Sequence, residues 1–318
     1  MRPAFIISLD FELFWGVWDS AGETYLPNIY GVWNAVPKIL DLFTEFNISA
    51  TWATVGMVMC KDYKEWLELI DLHIKSGFYC KIAHDQYIHE LIKRHPKVFF
   101  APDLVNAILD QGSQELGSHS FGHFDCLDEF ACVDGFSNDI DLFRIISSQF
   151  GIKAKSFVFP RNNISDLYIC ELEKNKFKCF RSNHSHFLYA NGHDVKLGSF
   201  GRLLRFADSY FPISRKKNIL INNAGFGINA LPADLFLRPW SNLLSSCDIL
   251  KVKRIKDKMT FNAKNGVDFH LWWHPHNFGI NLEKNIFVLR HILQHYQGLE
   301  KQYGMCSISM GEIGVARP

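Results

Sequence analysis

Four short stretches carry side chains whose types and spacing suit hydrolytic chemistry. The first, Ser8-Leu9-Asp10-Phe11-Glu12, ends an apolar run. Alternation along a strand puts Asp10 and Glu12 on one face and Leu9 and Phe11 on the other. Two carboxylates among apolar neighbours are costly unless a cation or hydrogen bonds hold them, whereas at a solvated strand end they would do nothing. The second stretch, Glu115-Leu116-Gly117-Ser118-His119-Ser120-Phe121-Gly122-His123, spaces two imidazoles four apart just after a strand-like run. A helical face or a tight turn converges such a pair, giving two of the three protein ligands that an open catalytic zinc site needs. Spacing alone is weak, because His291 and His295 repeat it inside an amphipathic helical run and read as a surface pair.

The third stretch, FHLWWHPHN at residues 269–277, runs a late strand into a proline turn. His274 closes that strand, His276 is its neighbour, and His270, deeper in, reads as a core imidazole. The fourth stretch, Phe157-Val158-Phe159-Pro160-Arg161-Asn162-Asn163, ends a strand with a guanidinium able to orient a carboxylate or hold an anionic substrate group. Of the tryptophans, Trp52 and Trp272 are kept as candidate stacking surfaces, although a strand Trp is more often core.

These stretches need elements to position them. Strand-like runs at residues 4–9, 48–55, 115–118 and 156–159 alternate with helix-like runs at 32–46, 103–109, 139–150 and 165–174. Such βαβα rhythm predicts an α/β fold with a mainly parallel sheet, at a length normal for one closed barrel. Residues 1–318 read as one domain with two insertions, a helical one at about 62–102 and an irregular one at about 183–200. The basic run Lys251-Val252-Lys253-Arg254-Ile255-Lys256 reads as the solvated face of a helix, with approach to a phosphate on a nucleotide- or lipid-linked sugar as the alternative.

With 47% hydrophobic and 21% charged residues the chain is globular, and a formal charge of +1 leaves no electrostatic case for nucleic acid or a polybasic membrane anchor. No apolar run reaches the roughly 18 residues of a spanning helix, and the opening MRPAFIISLDFELFW lacks a secretory leader pattern, so the expected compartment is the cytoplasm. The eight cysteines form no Cys-x-x-Cys and read as reduced thiols.

The order acid pair, histidine pair, arginine, late histidine resembles the polysaccharide deacetylase (NodB-like) family of carbohydrate esterases, over about residues 4–280. The resemblance implies a distorted (β/α)7 barrel and a divalent metal, with zinc first and cobalt or another ion as substitutes. It implies Asp10 as catalytic base, Glu12, His119 and His123 as metal ligands, and His274 as general acid. It places the family's arginine near Arg161. The acids here are separated by Phe11, as in the sub-branch with an Asp-x-Glu motif, which leaves open which carboxylate binds metal. SLDFELFWG, ATWATVGM, ELGSHSFGHFDCL and SFVFPRNN look most like deacetylases of bacterial surface-polysaccharide biosynthesis, lipopolysaccharide or capsule. The expected function is therefore removal of an N-acetyl group from an acetamido sugar, with Arg161, Asn162, Trp52, Trp272 and His276 on the substrate. A deformylase or other amidohydrolase, and a catalytically inactive carbohydrate-binding barrel, are the alternatives.

Overall fold

The computed structural model describes residues 2–75, 81–184, 186, 188–189, 193–214, 222–223 and 227–316. Among the described residues ten strands share one sheet: β1 Ala4–Phe11, β2 Thr51–Thr54, β3 Glu115–Ser118, β4 Ser156–Val158, β5 Cys179–Ser182, β6 Asn222–Asn223, β7 Asn229–Pro232, β8 Leu235–Phe236, β9 Phe269–Trp273 and β10 Cys306–Ser307. Their order is β6-β7-β5-β4-β3-β2-β1-β9-β8, with β10 added beside β1, and every pair but β6 with β7 is parallel. The sheet curls because one segment serves both of its sides. After β7 lies against β5, Ala233 donates its N–H to Ser182, and Asp234 donates to His270 on β9. Residues 229–236 thus cross from β5 to β9, and β1, β2, β3, β4, β5, this segment and β9 fill seven strand positions, matching the expected α/β barrel.

Alternation along β1 divides its work. Phe5, Ile7, Leu9 and Phe11 join the main apolar core. Ala4, Ile6, Ser8 and Asp10 point the other way, and along them the interior changes from apolar to polar. Ala4 and Ile6 pack with Val158, Leu231, Met310 and Ile313 at the end where the helix Met310–Ala316 lies. Ser8 and Asp10 stand above them among buried polar groups. Register brings three strand ends level: Phe11 pairs with Thr54, and Thr54 with Ser118, so Glu12 and His119 emerge side by side.

The helix Val32–Glu45 presents Val32, Ala35, Val36, Ile39, Leu40 and Phe43 to the core at helical spacing. Between residues 62 and 102 lie the helices Tyr63–Lys75 and Gln86–Arg94, residues 76–80 being outside the described residues, and Trp66 stacks on Trp15 at 5.6 Å between ring centroids, just beyond the Glu12 strand end. The expected helix at 139–150 begins earlier, at Val133–Ser148, because the Cys132 thiol caps it by accepting from the Gly135 N–H and Asp134 suits its first turn. The stretch 183–200, expected to be irregular, enters the helix His193–Asp208 within its length, with the break in period at Gly198, φ 49°. Residues 185, 187 and 190–192 of that stretch lie outside the described residues.

One expectation is overturned by charge pairing. Within the basic run the helix Asp248–Lys264 buries Lys251 and Arg254 while Lys253 stays exposed, and beyond the run it buries Lys258. Each buried cation meets a carboxylate: Lys251 lies 2.6 Å from Asp248, Arg254 2.6 Å from Asp208 and Lys258 3.2 Å from Asp234.

Candidate active site

At the carboxyl ends of the parallel strands, where α/β barrels present their working side chains, Glu12 leaves β1 and turns back. Leu13 follows at φ 50°, and a Cβ at Gly16 would collide with the Glu12 carboxyl, so glycine makes room for it. His119 follows β3 directly. Its Nδ1 lies 2.8 Å from the Val158 carbonyl and must donate to it, which leaves Nε2 as a bare lone pair, buried and without a hydrogen-bond partner. His123 comes round to the same place through a tight turn with Ser120 at φ 61° and His123 itself at φ 56°. Asp139 fixes that turn by accepting from the Phe121 and Gly122 N–H groups at 2.7 and 2.8 Å.

The result is a buried group of Glu12, His119 and His123 whose ligand atoms all lie within 4.8 Å of one another. Glu12 Oε2 is 3.4 Å from His119 Nε2 and 3.2 Å from His123 Nε2. A carboxylate oxygen facing an imidazole lone pair is two acceptors with nothing between them, and a divalent cation satisfies both. The donor set, one oxygen and two nitrogens, fits zinc and its neighbours in the transition series. Burial alone would raise the Glu12 pKa, but the adjacent His274, His119 and His123 hold it well below the ordinary value, so the oxygen is charged. Burial holds His123 below the usual imidazole value and so keeps it neutral.

Asp10 faces a different partner. Arg181 Nη1 and Nη2 donate to its two oxygens at 2.6 and 2.7 Å, and the same guanidinium reaches Ser8 Oγ at 3.1 Å and Asn162 Oδ1 at 2.8 Å. Against burial, which raises it, Arg181 and the nearby His119 and His274 hold the Asp10 pKa below its ordinary value. Trp272 lies over Arg181, its ring 4.3 Å from Cζ. His274 Nε2 stands 3.7 Å from Asp10 Oδ2 and 3.5 Å from Glu12 Oε1, with its side chain 23% exposed. The His276 ring stacks on it at 4.8 Å, and burial pushes His276 down to about 3, leaving it a neutral support. His270 is a core imidazole as expected, with Nε2 2.8 Å from Ser8 Oγ.

Asp10, Glu12, His119, His123, His274, His276, Asn162 and Trp272 are therefore brought together, Arg161 lines the same cavity only at its rim, and Trp52 does not reach it. Trp52 is wholly buried, edge-on to Phe11 and Phe43 with its Nε1 donating to Gln114, so no ring of a sugar reaches it. Arg161 turns to the rim, pairing with Asp19 and, at 3.5 Å, with Asp125. The arginine that orients the site carboxylate is Arg181 on β5, which the sequence reading missed. Its one signal was a guanidinium inside the strand-like run Lys178-Cys179-Phe180-Arg181-Ser182, tolerable only with a buried counter-charge. His291 and His295 stay on the helix Leu282–Tyr303, bonded to the Phe287 carbonyl and the Thr260 hydroxyl, respectively. A cavity of about 530 Å³ opens from His274 and Trp272 past Asn162 and Phe236.

No protein-family model matches the sequence, and no curated protein matches it. Solved structures do. A protein assigned as a polysaccharide deacetylase from Mycobacterium smegmatis aligns over 99% of this chain and 90% of its own, with TM-score 0.63 and 13% identity. The chain has the polysaccharide deacetylase fold. A second protein so assigned, from Pseudomonas aeruginosa PAO1, covers 99% of this chain and 90% of its own with TM-score 0.57 and 13% identity. The allantoinase Puue covers 99% and 89% with TM-score 0.57 and 14% identity. Since the deacetylase fold is shared with a differently named enzyme, function has to be argued from the site.

Proposed function

We propose that the protein is a metal-dependent hydrolase that removes the N-acetyl group from an acetamido sugar. The observation that carries this is the convergence of a charged Glu12, the unpartnered Nε2 of His119 and the imidazole of His123 beside a second carboxylate and a solvent-reaching histidine. Glu12, His119 and His123 would hold the cation, zinc before cobalt or another divalent ion. When bound, such a cation supplies Lewis acidity toward the acyl oxygen and acidifies water.

The chain's own residues supply the proton traffic. Asp10, kept anionic by Arg181, accepts the proton of the attacking water. His274, reaching both the carboxylates and the cavity, delivers a proton to the departing amine nitrogen, without which a sugar amine is a poor leaving group. His276 fixes the plane of the His274 ring by stacking. Trp272 and Phe236, 4.7 Å apart between ring centroids, offer an apolar wall for a sugar face. The likeness of SLDFELFWG and SFVFPRNN to enzymes of bacterial surface-polysaccharide synthesis supports a glycan, lipid-linked or nucleotide-linked substrate.

Purified protein assayed for bound metal and for acetate release from a panel of N-acetylated sugars tests the reading. Folded, metal-loaded protein that releases no acetate, and whose His119→Ala variant behaves identically, would overturn it. Formate as the product from an N-formyl sugar, in place of acetate, would instead establish a deformylase.

A further inference from the structure

The cavity that opens from His274 and Trp272 continues beyond the groups the hydrolysis uses. Its far part is reached through Phe236 on β8, whose ring centroid is 5.9 Å from that of His274. Two residues on, Arg238 places its Cζ 5.8 Å from the same ring and 5.0 Å from the ring of Phe206. Phe236 thus neighbours both the proton-donating imidazole and a guanidinium.

Arg238 differs from Arg161 and Arg254 on the same lining. Arg161 pairs with Asp19 and Asp125 and Arg254 with Asp208, while Arg205 donates to the Leu188 carbonyl. Among the described residues, no carboxylate lies within ion-pair distance of Arg238. Asp208, on the same lining, is already occupied by Arg254, the Tyr189 hydroxyl and the N–H and hydroxyl of Ser214. The Nε of Arg238 donates to Ser209 Oγ at 2.6 Å, which orients the side chain and leaves its two terminal amino groups as a fork beside the cavity. Partial burial and the nearby positive charge of Arg205 both disfavour its charged form. A half-buried guanidinium with a fixed plane and no counter-charge suits an oxyanion from outside, and its fork matches a phosphate.

We propose that the far end of this cavity binds a phosphate ester on the substrate, with Arg238 as its anchor, so that the sugar acted on is carried as a glycosyl phosphate or diphosphate. The inference rests on the hydrolase reading for the amide it places at His274; the anion subsite itself does not. Two sources share the chemistry, a nucleoside diphosphate and a polyprenyl diphosphate.

The test begins with binding, by calorimetry with inorganic pyrophosphate as the probe, on wild-type protein and on Arg238→Gln and Arg238→Lys. Wild-type protein binds pyrophosphate, Arg238→Gln loses about tenfold or more in affinity, and Arg238→Lys, which keeps the charge but not the fork, falls between. Circular dichroism of both variants establishes that they are folded. Acetate release is then compared for a neutral N-acetylhexosamine, its uridine diphosphate ester and its polyprenyl diphosphate ester. In Arg238→Gln the preference for the phosphate-bearing over the neutral substrate falls about tenfold, chiefly through KM. Whichever ester is preferred by wild-type protein names the carrier. Equal pyrophosphate affinity in wild type and Arg238→Gln, or a preference affected only for a uronate-bearing sugar, overturns the proposal. If pyrophosphate binding depends on Arg238 but no substrate releases acetate, the hydrolase reading falls and the subsite stands.

Discussion

Arg181 grips Asp10 by both oxygens, at 2.6 and 2.7 Å, in a pair from which solvent is almost wholly excluded. A fork of this kind fixes the carboxylate's plane as well as its charge, so a lysine does not replace it. The acid limb of the activity profile is expected at a pH below that of an ordinary aspartate, since Arg181 holds the Asp10 pKa down. Arg181→Met moves that limb upward and strands a buried charge, at about 3–5 kcal/mol of stability. Adding Asp10→Asn to Arg181→Met restores most of the stability and none of the activity, read by thermal unfolding and acetate release.

Metal binding has a readout free of any substrate. A ligand that binds only the folded chain stabilises it in proportion to the logarithm of its concentration over Kd. Dipicolinate therefore lowers the unfolding temperature of metal-loaded wild-type protein. In His119→Ala and Glu12→Gln the chelator produces no shift, and metal analysis finds less than one ion per chain.

Asp139 shapes the turn between the two histidines without touching either ring. Its removal in Asp139→Ala takes away the carboxylate that accepts from the buried Phe121 and the half-buried Gly122 N–H groups, at about 2–4 kcal/mol. Zinc affinity falls about 10–100-fold, the range for loss of groups that orient metal ligands. Asp139→Asn retains one acceptor oxygen and lies between, as competition with a chromogenic chelator would measure.

Acid stability follows from the buried imidazoles. Burial pushes His270 down to about 3 and His276 likewise to about 3, against 6.5 for an exposed ring. The unfolded chain therefore takes up these protons first: stability is complete above pH 6.5 and declines as the pH falls from 6.5 toward 3. Replacing His270 by Gln removes one such proton and flattens the decline over that window, measured as urea midpoints from pH 7 to 4.

Much of the site was legible because strand ends in a parallel barrel are adjacent in space. Asp10, Glu12, His119 and His274 each close a strand-like run, and register does the rest. What stayed illegible depends on partners distant in sequence. Arg181 and Arg161 are both arginines at strand ends, and only the fold reveals that one meets Asp10 while the other meets Asp19 and Asp125. Trp52 was misjudged because a four-residue strand gives too little period to tell an inward ring from an outward one. The basic face of Asp248–Lys264 looked solvated because its three counter-ions include Asp208 and Asp234, far outside the helix.

The pairing of β1 with β9 has a bearing on how the protein is made. Ser8 meets His270, 262 residues downstream, and Asp10 and Glu12 meet His274 from that same late strand. On the ribosome the two acids emerge long before β9 and wait for it before a neighbour covers that side of them. Contacts so remote in sequence form slowly, and a nascent chain holding the β1 to β5 strands alone exposes an edge where β9 should lie. A stalled or prematurely released chain therefore carries the acid pair and both metal-facing histidines without an assembled hydrolytic centre, so cation capture can precede competence and turnover reports that translation has run past β9.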